Sequence, residues 1–176
     1  MRVLVTGSDG FIGKNLLVRL TELGVSYKIF TRLNSFKELS GLIENSDRII
    51  HLAGENRPKN EADFELVNYG LTSLICDQLR LIGRNIPIIL ASSTQVYLDN
   101  PYGRSKLRAE ETVKKLQEET GNYSYVLRLP GVFGKWSRPN YNSVVATFCH
   151  NISHDLPIHI IDPSLELRLV YIDDVV

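Results

Sequence analysis

The sequence has no excess of charge of either sign, since 20 lysine and arginine residues balance 20 aspartate and glutamate residues. Binding to nucleic acid relies on a basic face, so this balance gives no reason to expect a nucleic-acid partner. No apolar run approaches the roughly 18 residues of a membrane span, and the first residues lack the charged-then-apolar plan of a secretory signal. We therefore expect a cytoplasmic protein without membrane insertion.

Cysteine is scarce as well, with only Cys76 and Cys149 in the chain. Both lie in apolar helical patterns, which favour buried free thiols over a disulfide or a metal site. The histidines near the end of the chain, His150, His154 and His159, have neither the spacing nor the partners of a metal site. The sequence therefore predicts no bound metal.

The chain does contain a regular alternation of two kinds of segment. Short apolar runs typical of strands buried on both faces are separated by longer stretches with helical spacing. This alternation predicts an α/β fold with a parallel sheet. The predicted strands are RVLVTG (2–7), SYKIFTR (26–32), RIIHLAG (48–54), IPIILAS (86–92) and SYVLRL (124–129). Beyond them, 139–152 reads as a helix, and 156–162 and 165–176 read as two further strands.

Three glycines follow the first predicted strand, Gly7, Gly10 and Gly13, in TGSDGFIG. Glycine permits the tight strand-to-helix turn, lets backbone amides approach a pyrophosphate and allows close helix–strand packing. The motif predicts a Rossmann-type doubly wound sheet with dinucleotide phosphates at the first helix N-terminus. The residues expected to contact the cofactor here are Gly7, Ser8, Asp9, Gly10, Phe11, Ile12 and Gly13.

The end of the second predicted strand bears on the choice of cofactor. NAD enzymes place an acidic residue about 20 residues beyond the glycines, where this chain has Thr31 and Arg32. Because a guanidinium suits a phosphate, Arg32 favours NADP(H) over NAD.

Several motifs together resemble the extended short-chain dehydrogenase/reductase superfamily, whose members mostly modify nucleotide sugars. They are TGSDGFIG, HLAG, SSTQVY, the Y-x-x-x-K of Tyr102 to Lys106, and YIDDVV. More narrowly, HLAGENRP, DNPYGRSK and FGKWSRPNYNSVVATFC resemble the bacterial capsule-synthesis reductases that act on UDP-2-acetamido-2,6-dideoxy-hexos-4-ulose. The resemblance runs along nearly the whole chain and implies a UDP-linked amino sugar as substrate.

Ketone reduction needs a proton donor within reach of the developing alkoxide, and two tyrosines, Tyr97 and Tyr102, lie near the SSTQVY segment. Residues four apart share a helix face, so Lys106 is expected beside Tyr102. There the lysine ammonium would lower the pKa of the tyrosine and could also reach the nicotinamide ribose. Tyr97 has no such partner. Pro101 predicts a helix start there, and Tyr102 is the expected acid.

The resemblance assigns further residues. Ser93 matches the hydroxyl that binds the substrate carbonyl, with Thr94 as the alternative. Asn68 matches a helix asparagine that supports the lysine through water, and an exposed helix asparagine is the open alternative. Leu52, Ala53, Gly54, Pro130 and Val132 match positions that line the cofactor. Arg138 and Asn142, in a loop with Trp136, are candidate contacts to the sugar or diphosphate, although a solvated loop is an open alternative. His51 is expected to be structural.

Related 4,6-dehydratases place an Asp-Glu pair after the catalytic hydroxyl, where this chain has Thr94 and Gln95. Neither titrates usefully near neutral pH, so dehydration is disfavoured. Reduction and epimerisation with a tightly held NAD stay open, as does a non-catalytic NADP sensor, although such sensors typically lose the tyrosine–lysine pair.

The resemblance also implies a division of the chain. Residues 1–135 correspond to the cofactor-binding domain and residues 136–176 to the start of a substrate lobe. Relatives continue for more than a hundred residues, and the capsular reductases add a cupin domain, so we expect a truncated chain. The superfamily commonly pairs into dimers through two helices, which match 61–82 and 101–120, so a homodimer is expected.

Overall fold

A computed structural model describes residues 1–160 and 162–176. Five parallel strands form one sheet in the order β2-β1-β3-β4-β5, which confirms the predicted α/β fold. The strands are β1 (Arg2–Thr6), β2 (Ser26–Phe30), β3 (Arg48–His51), β4 (Ile88–Ser93) and β5 (Ser124–Leu129). The outer strands β2 and β5 are more exposed than predicted, because each has a strand neighbour on one side only within the described sheet.

The helices of this part of the chain are α1 (Phe11–Glu22), α2 (Phe36–Glu44), α3 (Ala62–Phe64), α4 (Leu71–Ile82) and α5 (Pro101–Thr120). A π-helical turn, Glu65–Gly70, joins α3 to α4, and a 3₁₀ turn, Thr94–Tyr97, precedes α5. The start of α5 is set locally, since the Asn100 side chain accepts from the Gly103 amide at 2.7 Å. Pro101 occupies the first turn and Gly121 ends the helix in the left-handed conformation.

Two apolar clusters hold the layers together, and alternation along β1 divides its side chains between them. Leu4 belongs to the larger cluster, which also takes residues from α2, α4 and α5. Val3 and Val5 point to the other face, where Leu16 and Leu20 of α1 cover the sheet. The sheet is therefore buried on both faces at β1, as expected for a central strand of a doubly wound fold.

The last part of the chain differs from the prediction. Two short parallel strands, β6 (Gly131–Phe133) and β7 (Leu169–Tyr171), form a separate pair, and Ile172–Val175 is a helical turn, α7. The strand predicted at 156–162 was wrong for 156–160, which are exposed and have no ladder partner among the described residues; Ile161 lies outside the described residues. Apolar alternation alone does not make a strand without a neighbour to bond.

The helix predicted at 139–152 is α6, which begins later, at Val144, and ends at Ser153. Ser143 caps it by accepting from the Ala146 amide at 3.3 Å. Cys149, predicted to be buried, is exposed, because α6 packs against neither apolar cluster; Cys76 on α4 is buried as predicted. No helix of the described residues has the length and apolar character needed to cross a bilayer.

Candidate functional site

The sheet order reverses between β1 and β3, and ligands of open α/β sheets bind at the carboxyl ends of strands at such a point. The glycine turn lies there. Gly7 has φ of 72°, and a Cβ on it would lie 2.5 Å from the Ala53 nitrogen. A Cβ on Gly13 would lie 2.2 Å from the Gly7 carbonyl oxygen. Both positions therefore require glycine, which brings the N-terminus of α1 against the ends of β1 and β3.

This turn fits a dinucleotide pyrophosphate. The Ser8 hydroxyl is buried and has no hydrogen-bond partner among the described residues, so it can donate to a phosphate oxygen. Asp9 and Gly10 are exposed beside it, and Phe11 and Ile12 open α1 half-buried. Phosphate oxygens bind at helix N-termini because the first backbone N–H groups point outward there, and the Ser8 hydroxyl adds one further donor.

Arg32 lies just beyond β2, exposed at the same edge of the sheet. Its guanidinium pairs with the Glu55 carboxylate at 3.2 Å, and Glu55 follows β3. Since β2 and β3 flank β1, this ion pair joins segments on the two sides of the glycine turn. Glu55 was not identified from the sequence, because only the strand order brings it to Arg32.

Tyr102 and Lys106 occupy the first two turns of α5, as predicted. Lys106 is 5% exposed, and its Nζ donates to the Ala91 carbonyl at the end of β4 at 2.6 Å. The Tyr102 ring is partly buried and packs on Phe64, with ring centroids 5.7 Å apart. A Cβ on Gly103 would lie 2.3 Å from the Gln95 carbonyl oxygen, so α5 begins in close contact with the 3₁₀ turn.

The ionisation of this pair differs from the expectation. Burial raises the pKa of the Tyr102 phenol above its ordinary value, and the nearby Ser93 hydroxyl partly offsets that rise. Burial likewise lowers the pKa of Lys106 to about 8, with the Glu110 carboxylate acting in the opposite direction. The prediction that Lys106 lowers the pKa of Tyr102 is therefore wrong for this structure, because desolvation is the largest influence on each group.

Asn68 lies in the π-helical turn and is buried, which rules out the exposed asparagine that the sequence left open. Its side chain exchanges two hydrogen bonds with the Glu55 backbone, at 2.8 and 3.0 Å, and donates to Ser105 Oγ at 2.9 Å. A Cβ on Gly54 would lie 3.0 Å from Asn68 Oδ1 and 3.5 Å from Lys106 Nζ. Asn68, Gly54 and Lys106 are therefore close neighbours.

His51 is structural in this arrangement. Thr72 Oγ1 donates to the Asn68 carbonyl at 2.6 Å, so it accepts from His51 Nε2 at 2.9 Å. His51 Nδ1 lies 2.6 Å from Thr6 Oγ1, and full burial lowers the pKa of His51 to about 3. A neutral imidazole thus links the end of β1 to α4.

Ser93 and Thr94 stand at the end of β4, where Ser93 Oγ accepts from the Gln95 amide at 3.2 Å and Thr94 is exposed. Tyr97 has a different setting, because its hydroxyl accepts from Arg128 Nη1 at 2.6 Å. Tyr97 is also 72% exposed. Ser93 is therefore a neighbour of Tyr102, whereas Tyr97 is bonded to Arg128.

The remaining predicted residues line the same edge or lie farther along the chain. Leu52, Ala53, Pro130 and Val132 are half-buried, and the Ala53 amide donates to Thr6 Oγ1 at 3.2 Å. Arg138 and Asn142 are exposed on the loop before α6. That loop is tied to the segment after β3, since Tyr141 donates to Asn56 Oδ1 at 2.8 Å and Arg57 stacks on the Tyr141 ring.

Asn56, Arg57 and Tyr141 were not proposed from the sequence. The unusual strings NRP and KWSRPNYNS contain them, but nothing in the residue spacing indicated that two segments 85 positions apart touch. Among the described residues, no three histidine, cysteine or acidic side chains cluster as a metal site would require.

Comparisons with known proteins agree with this geometry. The sequence profile of the NAD dependent epimerase/dehydratase family matches residues 3–176. A Pseudomonas aeruginosa protein named UDP-2-acetamido-2,6-beta-L-arabino-hexul-4-ose reductase is 52% identical over 177 residues, covering 100% of this chain and 48% of that protein. An Escherichia coli dTDP-4-dehydro-6-deoxyglucose reductase is 29% identical, over 99% of this chain and 70% of that protein. The chain spans about half the length of the Pseudomonas relative.

Solved structures show the same fold. The capsular polysaccharide assembling protein CapF from Staphylococcus aureus superposes with a TM-score of 0.84 at 42% identity, over 99% of this chain and 48% of that one. A UDP-glucose 4-epimerase from Thermotoga maritima superposes with a TM-score of 0.87 at 21% identity, over 99% of this chain and 71% of that one. At 21% identity the second likeness bears on the fold alone.

Proposed function

Since this chain belongs to the NAD dependent epimerase/dehydratase family, we propose that the full-length protein is an NADPH-dependent nucleotide-sugar reductase. Its substrate is a UDP-2-acetamido-2,6-dideoxy-hexos-4-ulose, and its product is a precursor of capsular or surface polysaccharide. The names of the Pseudomonas and Staphylococcus relatives support this substrate class and this role. The single observation that carries the chemistry is the buried Lys106 on the same helix face as Tyr102, with its Nζ on the Ala91 carbonyl of β4 and close to Gly54.

Each residue of this group has a role in ketone reduction. Bound NADPH would supply the hydride. Tyr102 donates its phenolic proton to the C4 oxygen, and its raised pKa keeps that proton in place at neutral pH until the oxygen becomes basic. Ser93 donates a hydrogen bond to the same oxygen. Lys106, whose pKa is lowered to about 8, is still largely protonated at pH 7 and can hold the nicotinamide ribose and the ionised phenol.

The remaining proposed contacts follow from position. Asn68 fixes the segment after β3 beside Lys106 through its two bonds to Glu55. Residues 1–135 hold the cofactor through the glycine turn, Arg32 and the half-buried positions after β3 and β5. Residues 136–176 contribute to the substrate lobe, where Arg138 and Asn142 contact the UDP-sugar, and Thr94 contacts it from the end of β4.

The reductase proposal is tested by adding the UDP-linked 4-keto sugar and NADPH to the full-length protein and following NADPH absorbance. We expect stoichiometric oxidation of NADPH and a 4-hydroxy sugar by mass spectrometry. An epimerase would interconvert the sugars with no net change in absorbance, and an NADP sensor would bind NADPH without turnover. Either result would contradict the proposal.

The preference for NADPH over NADH depends on Arg32 in this proposal. We expect Arg32→Ala to weaken NADPH binding by about tenfold or more while NADH binding changes by less than about twofold, because a guanidinium–phosphate contact is a charge-assisted hydrogen bond. Isothermal titration calorimetry with both cofactors measures the two losses.

Glu55→Gln is the matched variant, because it frees Arg32 from its ion pair without removing the guanidinium. It should leave NADPH binding unchanged or strengthen it. Arg32→Ala could instead weaken the binding of NADPH and NADH equally, or the wild type could prefer NADH. Either result would show that Arg32 does not recognise the 2′-phosphate that distinguishes NADPH from NADH.

We further propose that the protein is a cytoplasmic homodimer, paired through the helix pair α4 and α5. The two helices lie side by side and are joined by Arg80 to Glu119 at 2.8 Å, so they present one continuous surface. Light scattering at micromolar concentration should give twice the monomer mass, and introducing a charge at exposed Leu81 by Leu81→Glu should halve it. A monomeric wild-type protein would contradict the pairing.

A further inference from the structure

A second polar cluster lies behind Lys106 and has no part in the chemistry described so far. Its centre is Glu110, which is one helical turn after Lys106 on α5 and is only 7% exposed. A buried carboxylate is costly unless it is paired and hydrogen-bonded, so its partners show what it does.

The partners of Glu110 come from two strands. Arg128 of β5 binds it through two nitrogens, Nε at 3.0 Å and Nη2 at 2.6 Å from Oε2. The Ser92 hydroxyl of β4 donates to Oε1 through a short hydrogen bond. Arg128 also donates to the Tyr97 hydroxyl at 2.6 Å, so Tyr97 belongs to this cluster.

Ser92 lies between two residues of the proposed active site. The residue before it, Ala91, supplies the carbonyl that accepts from Lys106 Nζ, and the residue after it is Ser93, the proposed substrate-binding hydroxyl. Holding Ser92 against α5 therefore fixes the register of both neighbours relative to the helix that carries Tyr102 and Lys106.

We propose that Glu110 is a positioning residue for the Tyr102–Lys106 pair: it clamps the end of β4 to α5 through Ser92 and sets a carboxylate one turn from the lysine ammonium. Arg128 holds that carboxylate in place. This inference rests on the proposed reductase function for its catalytic consequence, but the clamp and the charge can be tested without substrate.

The groups around Lys106 define what the Glu110 charge does. His51 of β3 is neutral because burial lowers its pKa, and the charge of Lys106 lowers that pKa further. Tyr102 and Ala91 are uncharged neighbours, and Arg128 binds Glu110 on its other side. Burial lowers the pKa of Lys106, and Glu110 is the group that opposes this by stabilising the ammonium. Removing the carboxylate charge should therefore lower the pKa of Lys106 further.

The test compares Glu110→Gln, Glu110→Asp and Glu111→Gln in the full-length protein. The Lys106 side chain is followed by NMR of ¹³C-labelled lysine against pH, assigned with a Lys106→Met sample. In Glu110→Gln, which keeps an oxygen for Ser92 but no charge, we expect the Lys106 titration to fall by on the order of one pH unit. Glu110→Asp keeps the charge, so its Lys106 titration should lie close to that of the wild type. Glu111 is the exposed neighbour on the same helix, and its variant should titrate like the wild type.

Catalysis gives the second readout. In Glu110→Gln the alkaline limb of the kcat/KM profile should move to lower pH together with the Lys106 titration, while Glu111→Gln leaves it in place. A Glu110→Gln protein with a lower melting temperature but an unmoved Lys106 titration would overturn the positioning role and leave a purely structural one. Absence of ketone reduction by the wild type would instead contradict the proposed function, since the lysine titration is measured without substrate.

Discussion

Tyr102→Phe in the full-length protein should reduce ketone turnover by roughly a hundredfold or more, the loss typical of removing a general acid, while NADPH affinity stays nearly intact. The phenylalanine ring can keep the packing against Phe64, so the variant removes the acidic hydroxyl without removing the side chain from its pocket. Turnover is measured by NADPH absorbance with the UDP-linked 4-keto sugar, and affinity by calorimetry.

Tyr97→Phe is the matched control for this experiment. Its hydroxyl accepts a hydrogen bond from Arg128 and the residue is largely exposed, so removal of the hydroxyl should cost only a few-fold in turnover. Wild-type turnover in Tyr102→Phe with loss in Tyr97→Phe would transfer the acid role to Tyr97 and refute the argument from helix spacing.

Gly13→Ala should have the largest effect on stability and cofactor binding. The added Cβ would lie 2.2 Å from the Gly7 carbonyl oxygen and 2.7 Å from the Ser8 Cα, both backbone atoms that cannot rotate away. Moving α1 off the turn to relieve this contact should cost about 2 kcal/mol or more of unfolding free energy, as overpacking does. The same movement displaces the helix N-terminus, so NADPH binding should be lost.

Gly41→Ala tests whether this cost is specific to the turn. Gly41 lies inside α2 with no atom within 4 Å of the added Cβ. Alanine there should raise the free energy of unfolding by roughly 0.5–1 kcal/mol, because glycine is entropically unfavourable in a helix interior. Denaturant unfolding measures the change in the free energy of unfolding, which should be negative for Gly13→Ala and positive for Gly41→Ala. A stable, NADPH-binding Gly13→Ala protein would contradict the proposed role of the turn.

Much of this arrangement could be predicted from the sequence because it depends on local rules. The five strands of the sheet, the glycine turn after β1 and the start of α5 at Pro101 follow from apolar runs, backbone freedom and helix capping, which act within a few residues. The four-residue spacing from Tyr102 to Lys106 likewise places both on one helix face before any tertiary contact is known.

The last segment shows where such rules fail. Alternating apolar residues at 156–160 predicted a strand, whereas the observed pair is β6 with β7, two strands of three residues each. β7 lies within the strand predicted at 165–176, but β6 was not predicted. A strand of three residues carries too little pattern to recognise, and its existence depends on the partner that bonds it.

Only the tertiary structure decided which polar groups meet. The sheet order brings Glu55 to Arg32, and the approach of β4 and β5 to α5 brings Ser92 and Arg128 to Glu110. Burial also decided the ionisation of the site: spacing predicted a lowered pKa for Tyr102, but desolvation raises it and lowers the pKa of Lys106 to about 8. Local sequence determined which residues share a helix or a turn, whereas partners and desolvation depend on segments distant in the chain, which come together only in the folded protein.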